Sequence, residues 1–402
     1  MTAATATAGA NPAAASRLTG GGWFRLCRGL PPSRPSPKPV RSRASEGTAV
    51  EFGLFVEWPN SGSRVWREAF EESVAQVRLA EEVGFDFCLI AEHHFSDYGI
   101  APSPLLEALA FARATSRIRI GTGVAVLPEW QPLRLAEEMA VVDQLSGGRF
   151  IAGVGRGFVP FEQERLGVNV EEGRARFEES LDVLVKAWTE TDFTYAGQHV
   201  RVDHPTTVLP RPLQAPHPPL WLAGASAESV DLVGRRGLTP ITSGVAGADR
   251  LREQHHEYVQ ARRRYGREIE PLHVVAQTQV HVAETTAEAH TTLPFARWQA
   301  RAVTRLVQAR VERGVLDASP AEDDPSDEVL LGRQFIGTPD QIIPRLQALS
   351  DAGVTHVSML MEFGGLDAAR IERSIRLVGR EVIPALRNAT PPPSLFATSS
   401  TA

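Results

Sequence analysis

Residues 118–157, IRIGTGVAVLPEWQPLRLAEEMAVVDQLSGGRFIAGVGRG, contain a strand, a helix and a second strand in direct succession. Residues 118–127 form an apolar run with the length of a buried strand. The next apolar residues recur every three or four positions, the period of a helix with one buried face: Leu135, Met139, Val142 and Leu145. Glycines at 147–148 end that helix as a C-cap does, and a second apolar strand is predicted over 149–154.

The same alternation of apolar strands and amphipathic helices extends over most of the chain. Eight strands are predicted, each followed by a helix: residues 50–56, 85–90, 118–127, 149–154, 220–223, 238–242, 273–282 and 356–361. Near-continuous apolar strands between such helices are typical of a parallel sheet that is covered on its outer face. We therefore predict an α/β fold, a (β/α)8 TIM barrel, whose functional residues follow the carboxyl ends of the strands.

The longest connection, roughly residues 284–335, is predicted to be an insertion after strand 7. Its first part has a helical pattern, and its later part is acidic and contains prolines around residues 323–327. Two interpretations remain open. The insertion is either a lid over the site or a solvent-facing helical segment with a disordered acidic stretch.

The two ends of the chain differ in composition from the predicted barrel. Residues 1–48 are rich in Ala, Pro and Arg, and Glu46 is their only acidic residue, so we predict a disordered N-terminal extension. An organelle transit peptide and a functional arm are the alternatives, whereas a secretory signal would need an apolar core that is missing. The barrel is predicted to cover residues 49–390, and residues 391–402 form a loose C-terminal tail.

Composition argues against several classes of protein. The 402 residues carry a net charge of −6 with dispersed basic residues, which argues against nucleic-acid binding. The two cysteines, Cys27 and Cys88, are too far apart in sequence to form a zinc-ligand pair or a disulfide scaffold. No apolar stretch approaches the length of a membrane span, so we expect no membrane partner and a cytoplasmic location.

The end of the second predicted strand carries the first candidate catalytic residues, Glu92, His93 and His94. At least one imidazole is expected to face the barrel mouth, and the unperturbed pKa of an imidazole, which is close to the working pH, suits acid–base chemistry. A histidine that merely packs at the rim is one alternative, and a metal site is another. Adjacent strand residues point to opposite faces, however, and the HxxxH helical spacing of zinc sites is absent, so we predict no metal.

Two arginines are the candidate phosphate-binding groups. Arg156 projects from a glycine-rich run that does not match a dinucleotide-binding loop, and Arg174 begins the next helix. Together with the N-terminus of the helix after strand 5, they could bind a phosphate group. Alternatively, Arg174 pairs with Glu171 or Glu178 of its own helix.

Several motifs, taken together and in order, resemble the bacterial luciferase-like flavin monooxygenases. They are AEHHF at 91–95, GTGVAVLP at 121–128, LAEE at 135–138 and DQLSGGRF at 143–150, running on to GRG at 155–157. The resemblance implies a (β/α)8 barrel of the bacterial luciferase-like type that binds reduced FMN at the carboxyl ends of its strands. It also implies a separate NAD(P)H-flavin reductase that supplies the reduced flavin, and a dimer, for which we expect a homodimer.

The resemblance assigns roles to individual residues. His93 matches the family's catalytic histidine near the flavin ring, and Glu92 is placed with the cofactor-binding residues. Gly123-Val124 matches the site of a cis peptide bond against that ring. Arg156 and Arg174 match the arginines that bind the flavin phosphate.

After strand 5 the match is weaker. Ala225 and Glu228 occupy positions where luciferases have hydroxyl residues on the phosphate. A glutamate there would repel the anion, so we expect Ser226 and Ser229 to bind the phosphate instead, beside Gly224 and Ala225.

These assignments imply a two-component, FMNH2-using monooxygenase. It would insert one oxygen atom from O2 into a small organic substrate through a flavin C4a-hydroperoxide, with His93 handling the proton. Gly155 stands where true luciferases often have a reactive cysteine, so light emission is not implied. An apolar mouth, suited to a small apolar substrate, is expected from five aromatic residues: Phe95, Tyr98, Trp130, Phe158 and Phe161.

Three other functions remain open at this point. An F420-dependent oxidoreductase would perform hydride transfer on the same fold, with that deazaflavin in the same pocket. A catalytically silent flavin-binding subunit and a metal-dependent barrel hydrolase are the remaining alternatives.

Overall fold

The computed structural model describes residues 50–59, 65–99, 101–268 and 272–388. The predicted N-terminal extension and C-terminal tail lie outside these residues. The strands are β1 (Glu51–Val56), β2 (Phe87–Ile90), β3 (Arg119–Thr122), β4 (Ala125–Val126), β5 (Phe150–Gly155), β6 (Phe193–Ala196), β7 (Arg201–Thr206), β8 (Leu220–Ala223), β9 (Thr239–Ser243), β10 (Val275–Val282), β11 (Val311–Glu312), β12 (Val315–Leu316), β13 (Phe335–Gly337) and β14 (His356–Leu360).

Eight of these strands form a closed parallel barrel within the described residues. Their order around the barrel is β1, β2, β3, β5, β8, β9, β10 and β14. β14 pairs with β10 on one side and with β1 on the other, where Glu51 lies opposite His356, and this pairing closes the barrel. The predicted (β/α)8 TIM barrel is thereby confirmed.

Helices connect the strands and cover the outside of the barrel. They are α1 (Trp66–Val83), α2 (Pro104–Ala114), α3 (Pro132–Ser146), α4 (Pro160–Arg165), α5 (Gly173–Thr189), α6 (Ala227–Arg236), α7 (Gly247–Arg264), α8 (Thr286–His290), α9 (Leu293–Val307), α10 (Asp327–Arg333), α11 (Pro339–Asp351), α12 (Ala368–Leu377) and α13 (Ile383–Arg387). Three of the four apolar residues predicted to form the inner face of α3 are buried, but Leu145 is 50% exposed.

The third predicted strand, 118–127, is interrupted in the structure. β3 ends at Thr122, and β4 pairs with β5 after the intervening residues Gly123 and Val124. The peptide bond between Gly123 and Val124 is cis, as the resemblance implies. The strand β13 was not predicted, because three residues beside β10 are too few to give a recognisable period.

The insertion after strand 7 packs on the barrel. It contains α8, α9, the hairpin of β11 and β12, and α10. Arg301 of α9 binds Asp324 at 2.8 Å through Nε, and Arg297 binds Asp327. These ion pairs hold the acidic stretch against α9. Whether the insertion acts as a lid or is a solvent-facing segment stays a prediction.

Among the described residues, no helix combines the length and the apolar composition that crossing a membrane requires.

Candidate active site

A cavity of about 690 Å³ opens at the carboxyl ends of the barrel strands, the end at which barrel sites form. This volume lies within the range of small-molecule sites in proteins. Ten residues are predicted from the sequence to be catalytic or to bind the cofactor, and all of them line this cavity: Glu92, His93, Gly123, Val124, Arg156, Arg174, Gly224, Ala225, Ser226 and Ser229. Their individual roles remain predictions.

One part of the cavity wall is buried and centres on His93. We call it the histidine end, and it consists of Glu57, His93, Tyr98, Glu162 and Gln299. His93 Nδ1 lies 3.3 Å from Glu162 Oε1, and Nε2 lies 3.5 Å from Glu57 Oε1. A protonated imidazole has a donor at each nitrogen, so both carboxylates can accept from it.

The surroundings of His93 change its protonation. Burial is the largest influence on its pKa and alone would lower it, because a charged ring loses its hydration. Hydrogen bonds and charge attraction from Glu162 and Glu57 outweigh burial and raise the pKa of His93 to about 10. The pKa of His93 therefore lies well above the ordinary value for histidine, which is close to the working pH. His93 keeps its proton throughout the neutral range.

The two carboxylates beside His93 were missed in the sequence. Glu57 follows β1 directly, and Glu162 lies on the short helix α4. Glu57 could have been found, because it comes after the carboxyl end of a barrel strand as Glu92 does. Glu162 gives no such signal, since α4 is too short to be predicted from its apolar period.

His94 belongs to a second, partly buried group that lies next to the first. Its Nε2 is 3.2 Å from Glu92 Oε1 and 3.4 Å from Glu129 Oε2. Glu92 also accepts from the Trp130 indole at 2.8 Å and from the Val126 backbone at 2.6 Å. Burial and the neighbouring Glu92 carboxylate raise the pKa of Glu129 to about 8.

This second group has the composition of a metal site. The ligand atoms of Glu92, His94 and Glu129 all lie within 4.8 Å of one another, as a divalent cation would require. A protonated His94 between two carboxylates gives the same arrangement, and the contact with Glu92 helps to raise the pKa of His94 against the effect of burial. The geometry therefore fits both interpretations, and the prediction of no metal stays a prediction.

The opposite part of the cavity wall is exposed and positively charged. We call it the arginine end, and it consists of Arg156, Arg174, Ser226, Glu228 and Ser229. Within the described ranges, the Arg156 guanidinium makes no hydrogen bond or ion pair. Arg174 lies 3.6 Å from Glu228 and also pairs weakly with Glu178 of its own helix, at 3.8 Å. Arg174 therefore lines the cavity and also pairs with Glu178 of its own helix, the contact that the alternative interpretation predicts.

The helix that begins at the arginine end is α6. Ser226 is its N-cap, and its side-chain oxygen accepts from the Ser229 backbone N–H. The two hydroxyl oxygens lie 3.2 Å apart. Gly224 has a φ of 146° and its Cβ would lie 2.5 Å from the Ser229 hydroxyl, so a larger residue would displace that serine.

Glycine also brings the backbone together in the middle of the cavity wall. A Cβ at Gly155 would lie 2.6 Å from Val124 Cγ2. A cysteine at this position would therefore displace Val124, which gives a steric reason for glycine there.

The mouth of the cavity is less apolar than predicted. Of the five aromatic residues expected there, Tyr98 and Phe158 line the cavity, and Phe95, Trp130 and Phe161 do not. Phe158 is 57% exposed and its ring lies edge-on to His93, with the ring centroids 5.9 Å apart. The wall also presents three amide side chains: Gln277, Gln279 and Gln299.

Sequence comparison relates this chain to known enzymes. The sequence model of the luciferase-like monooxygenases matches residues 50–356. An uncharacterised protein of Sinorhizobium fredii is 32% identical over 353 residues, which are 85% of this chain and 98% of that protein. The oxygenase component of a flavin-dependent trigonelline monooxygenase from Acinetobacter baylyi is 26% identical over 353 residues, covering 84% of this chain and 95% of that one.

Solved structures show the same architecture. A monooxygenase from Streptomyces bottropensis superposes with a TM-score of 0.74 at 26% identity, covering 83% of this chain and 99% of that one. A coenzyme F420-dependent tetrahydromethanopterin reductase from Methanopyrus kandleri superposes with a TM-score of 0.66 at 20% identity, covering 84% and 99%. The second likeness concerns the fold alone.

Proposed function

The chain belongs to the luciferase-like monooxygenase family, and on that premise we propose that this oxidoreductase is the oxygenase component of a two-component, FMN-dependent monooxygenase. Its substrates would be O2 and a small organic compound, and a separate NAD(P)H-flavin reductase would supply the reduced FMN. The observation that carries this proposal is a single cavity with a cationic end and a protonated, buried histidine. Reduced FMN, when bound, supplies the electrons that activate O2.

The donor groups of the arginine end fit a phosphate monoester. Arg156 and Arg174 supply charge, and Ser226 and Ser229 supply hydroxyl groups at the start of α6. Glu228 opposes the anion, but it is exposed, so its repulsion is screened by solvent. Gly224 and Ala225 would let the backbone approach the phosphate.

The remaining predicted cofactor residues also line the cavity. Gly123, Val124 and Glu92 would form the wall beside the flavin ring. His93 would act as the catalytic residue, because a buried imidazolium can donate a hydrogen bond or a proton to an oxygen atom that gains negative charge. The buried wall excludes water from that place.

The lining of the cavity indicates how a substrate would bind. A small organic substrate would lie against Phe158, with its polar groups on the three amide side chains of the wall.

We also propose a homodimer and a cytoplasmic location. Three exposed apolar side chains on the packed pair α2 and α3 support the homodimer: Leu106, Val141 and Leu145.

The second candidate is an F420-dependent oxidoreductase that transfers a hydride without oxygen. The fold shared with the Methanopyrus reductase permits it, and a protonated His93 could equally donate a proton in such a reaction. The two candidates differ in the cofactor that the cavity holds.

An anaerobic titration of the purified protein with reduced FMN and, separately, with reduced F420 tests the choice. We expect tighter binding of reduced FMN, and weaker binding of reduced riboflavin because it lacks the phosphate. Preference for F420 would support the second candidate. Binding of neither cofactor would leave a silent subunit, or a hydrolase if the protein contains stoichiometric metal at Glu92, His94 and Glu129.

A further inference from the structure

Glu57 is the centre of a hydrogen-bond network at the histidine end. Its Oε1 accepts from the Tyr98 hydroxyl at 2.9 Å and lies 3.5 Å from His93 Nε2. Its Oε2 accepts from Gln299 Nε2, also at 2.9 Å. All three groups are buried, and their three donors suit an ionised carboxylate.

The Glu57 carboxylate is held from two other parts of the fold. Gln299 belongs to α9 of the insertion, and its Oε1 accepts from the Gly364 backbone after β14 at 3.2 Å. The Gln299 amide also lies 3.3 Å from the Tyr98 hydroxyl. Tyr98 stays a neutral donor, since burial and Glu57 raise its pKa well above the ordinary value. Both oxygens of Glu57 are therefore fixed relative to His93.

Glu162 contacts His93 from the other side and differs from Glu57 in its partners. Its Oε1 accepts from the His94 backbone at 3.1 Å as well as contacting His93 Nδ1. It therefore supports both histidines of the loop. Glu57 contacts His93 and not His94, and it joins that ring to the insertion through Gln299.

We propose that Glu57 is a positioning residue that fixes the orientation of the His93 ring through its contact with Nε2, with Tyr98 and Gln299 holding the carboxylate in place. The charged and titratable groups that face His93 are Glu57, Glu162 and Tyr98, and Glu129 adds a more distant charge. Removing the charge of Glu57 leaves burial opposed by one adjacent carboxylate instead of two. The proton on His93 is then lost at lower pH.

The direct test is a pH titration of ¹⁵N-histidine-labelled protein by NMR, with the His93 signal assigned by its loss in His93→Gln. In Glu57→Gln we expect the pKa of His93 to fall by about one unit or more. Glu57→Asp, which keeps the charge at a greater distance, should lie between that variant and the unchanged protein. Glu107→Gln controls for placing an amide where a buried carboxyl group stood, because Glu107 is equally buried but lies on α2 outside the cavity lining.

An unchanged His93 titration in Glu57→Gln would overturn the proposal. If that variant does not fold, Glu57→Asp gives the decision: a lowered pKa supports the role, and an unchanged pKa contradicts it. The same variants have a functional readout, the pH dependence of the reaction of O2 with the reduced-FMN complex. Its alkaline limb should move down with the pKa of His93.

The functional readout rests on the proposed function, whereas the NMR titration does not. A protein that fails to bind reduced FMN but shows the shifted His93 titration would disprove the monooxygenase and retain the role of Glu57. A protein that binds reduced FMN but whose His93 titration is unshifted in Glu57→Gln would retain the monooxygenase and disprove the role of Glu57.

Discussion

The histidine end and the arginine end of the cavity are built differently. His93 is 5% exposed, and each of its ring nitrogens faces a carboxylate at hydrogen-bonding or ion-pair distance. Arg174 has a side chain that is 45% exposed and pairs weakly with two glutamates, while Arg156 forms no ion pair among the described residues and interacts only at longer range with the charge of Glu228. The polar groups of the histidine end already have hydrogen-bond or ion-pair partners within the protein. The arginine end still has hydrogen-bond donors that a ligand could use.

This difference predicts which end of the cavity determines turnover and which determines cofactor affinity. Buried charges interact strongly, because solvent does not screen them, and they cost a great deal when one partner is removed. Exposed charges at a binding site are screened by solvent in the free protein, so they gain most interaction energy when a charged ligand binds and displaces that solvent. We therefore expect changes at the histidine end to affect turnover, and changes at the arginine end to affect cofactor affinity.

The largest effect is expected at His93. His93→Ala should lower the rate of the oxygen reaction that leads to product by about 10²–10⁴-fold, because a positioned proton donor is lost. Affinity for reduced FMN should remain within a few-fold of the original. Rates and affinity can be measured on one preparation by rapid mixing and by anaerobic titration. Full activity in His93→Ala would show that the proton is handled elsewhere.

The protonation of His93 also predicts a pH dependence. Because the pKa of His93 is raised to about 10, activity that needs the imidazolium should be constant through the neutral range and fall as the pH rises through that value. The same sign holds for stability: the contribution of this proton is complete below the ordinary histidine pKa and is lost as the pH rises towards 10. An activity that falls near pH 6.5 would contradict a His93 imidazolium that is stabilised by Glu57 and Glu162.

A smaller effect is expected at the arginine end. Arg156→Ala should weaken the binding of reduced FMN by about tenfold or more, since a charged hydrogen bond is lost. Arg174→Ala should weaken it less, because Arg174 must give up its contacts with Glu178 and Glu228 to bind the phosphate. The affinity for reduced riboflavin should change in neither variant. Equal losses for FMN and riboflavin would show that the arginines do not hold the phosphate.

The smallest effect is expected at Glu228. Glu228→Gln removes a carboxylate that competes for Arg174, so reduced FMN should bind a few-fold more tightly, as befits an exposed charge pair. The gain should shrink as salt is added. Glu253→Gln, an exposed glutamate of α7 outside the cavity lining, is the control for a general change of net charge. Weaker binding in Glu228→Gln would instead make Glu228 part of the site.

The sequence predicted the architecture because the signal is local and repeated. The strands at 220–223 and 356–361 were placed almost residue by residue, since apolar runs end at turns and caps. The family resemblance, together with the predicted start of the helix after strand 5, supplied the ten cavity residues, all of which line the same cavity.

What the sequence could not supply is contact between distant segments. The pKa of His93 depends on Glu57, 36 positions earlier, and on Glu162, 69 positions later, and neither forms a motif with it. Gln299 lies 242 positions from the carboxylate that it binds. Three of the five aromatic residues predicted for the mouth do not line the cavity, because an aromatic residue in sequence does not show whether its ring faces the cavity or, as with Trp130, a buried glutamate.

Rapid mixing of the anaerobic protein–reduced FMN complex with O2 decides whether this protein is an FMN-dependent monooxygenase. The flavin spectrum and the release of hydrogen peroxide would be recorded at neutral pH. We expect a transient spectrum that differs from those of reduced and oxidised FMN, outlives the reaction of free reduced FMN, and is shortened in His93→Ala. Bound flavin that does not react with O2, or that oxidises directly as it does in free solution, would contradict it.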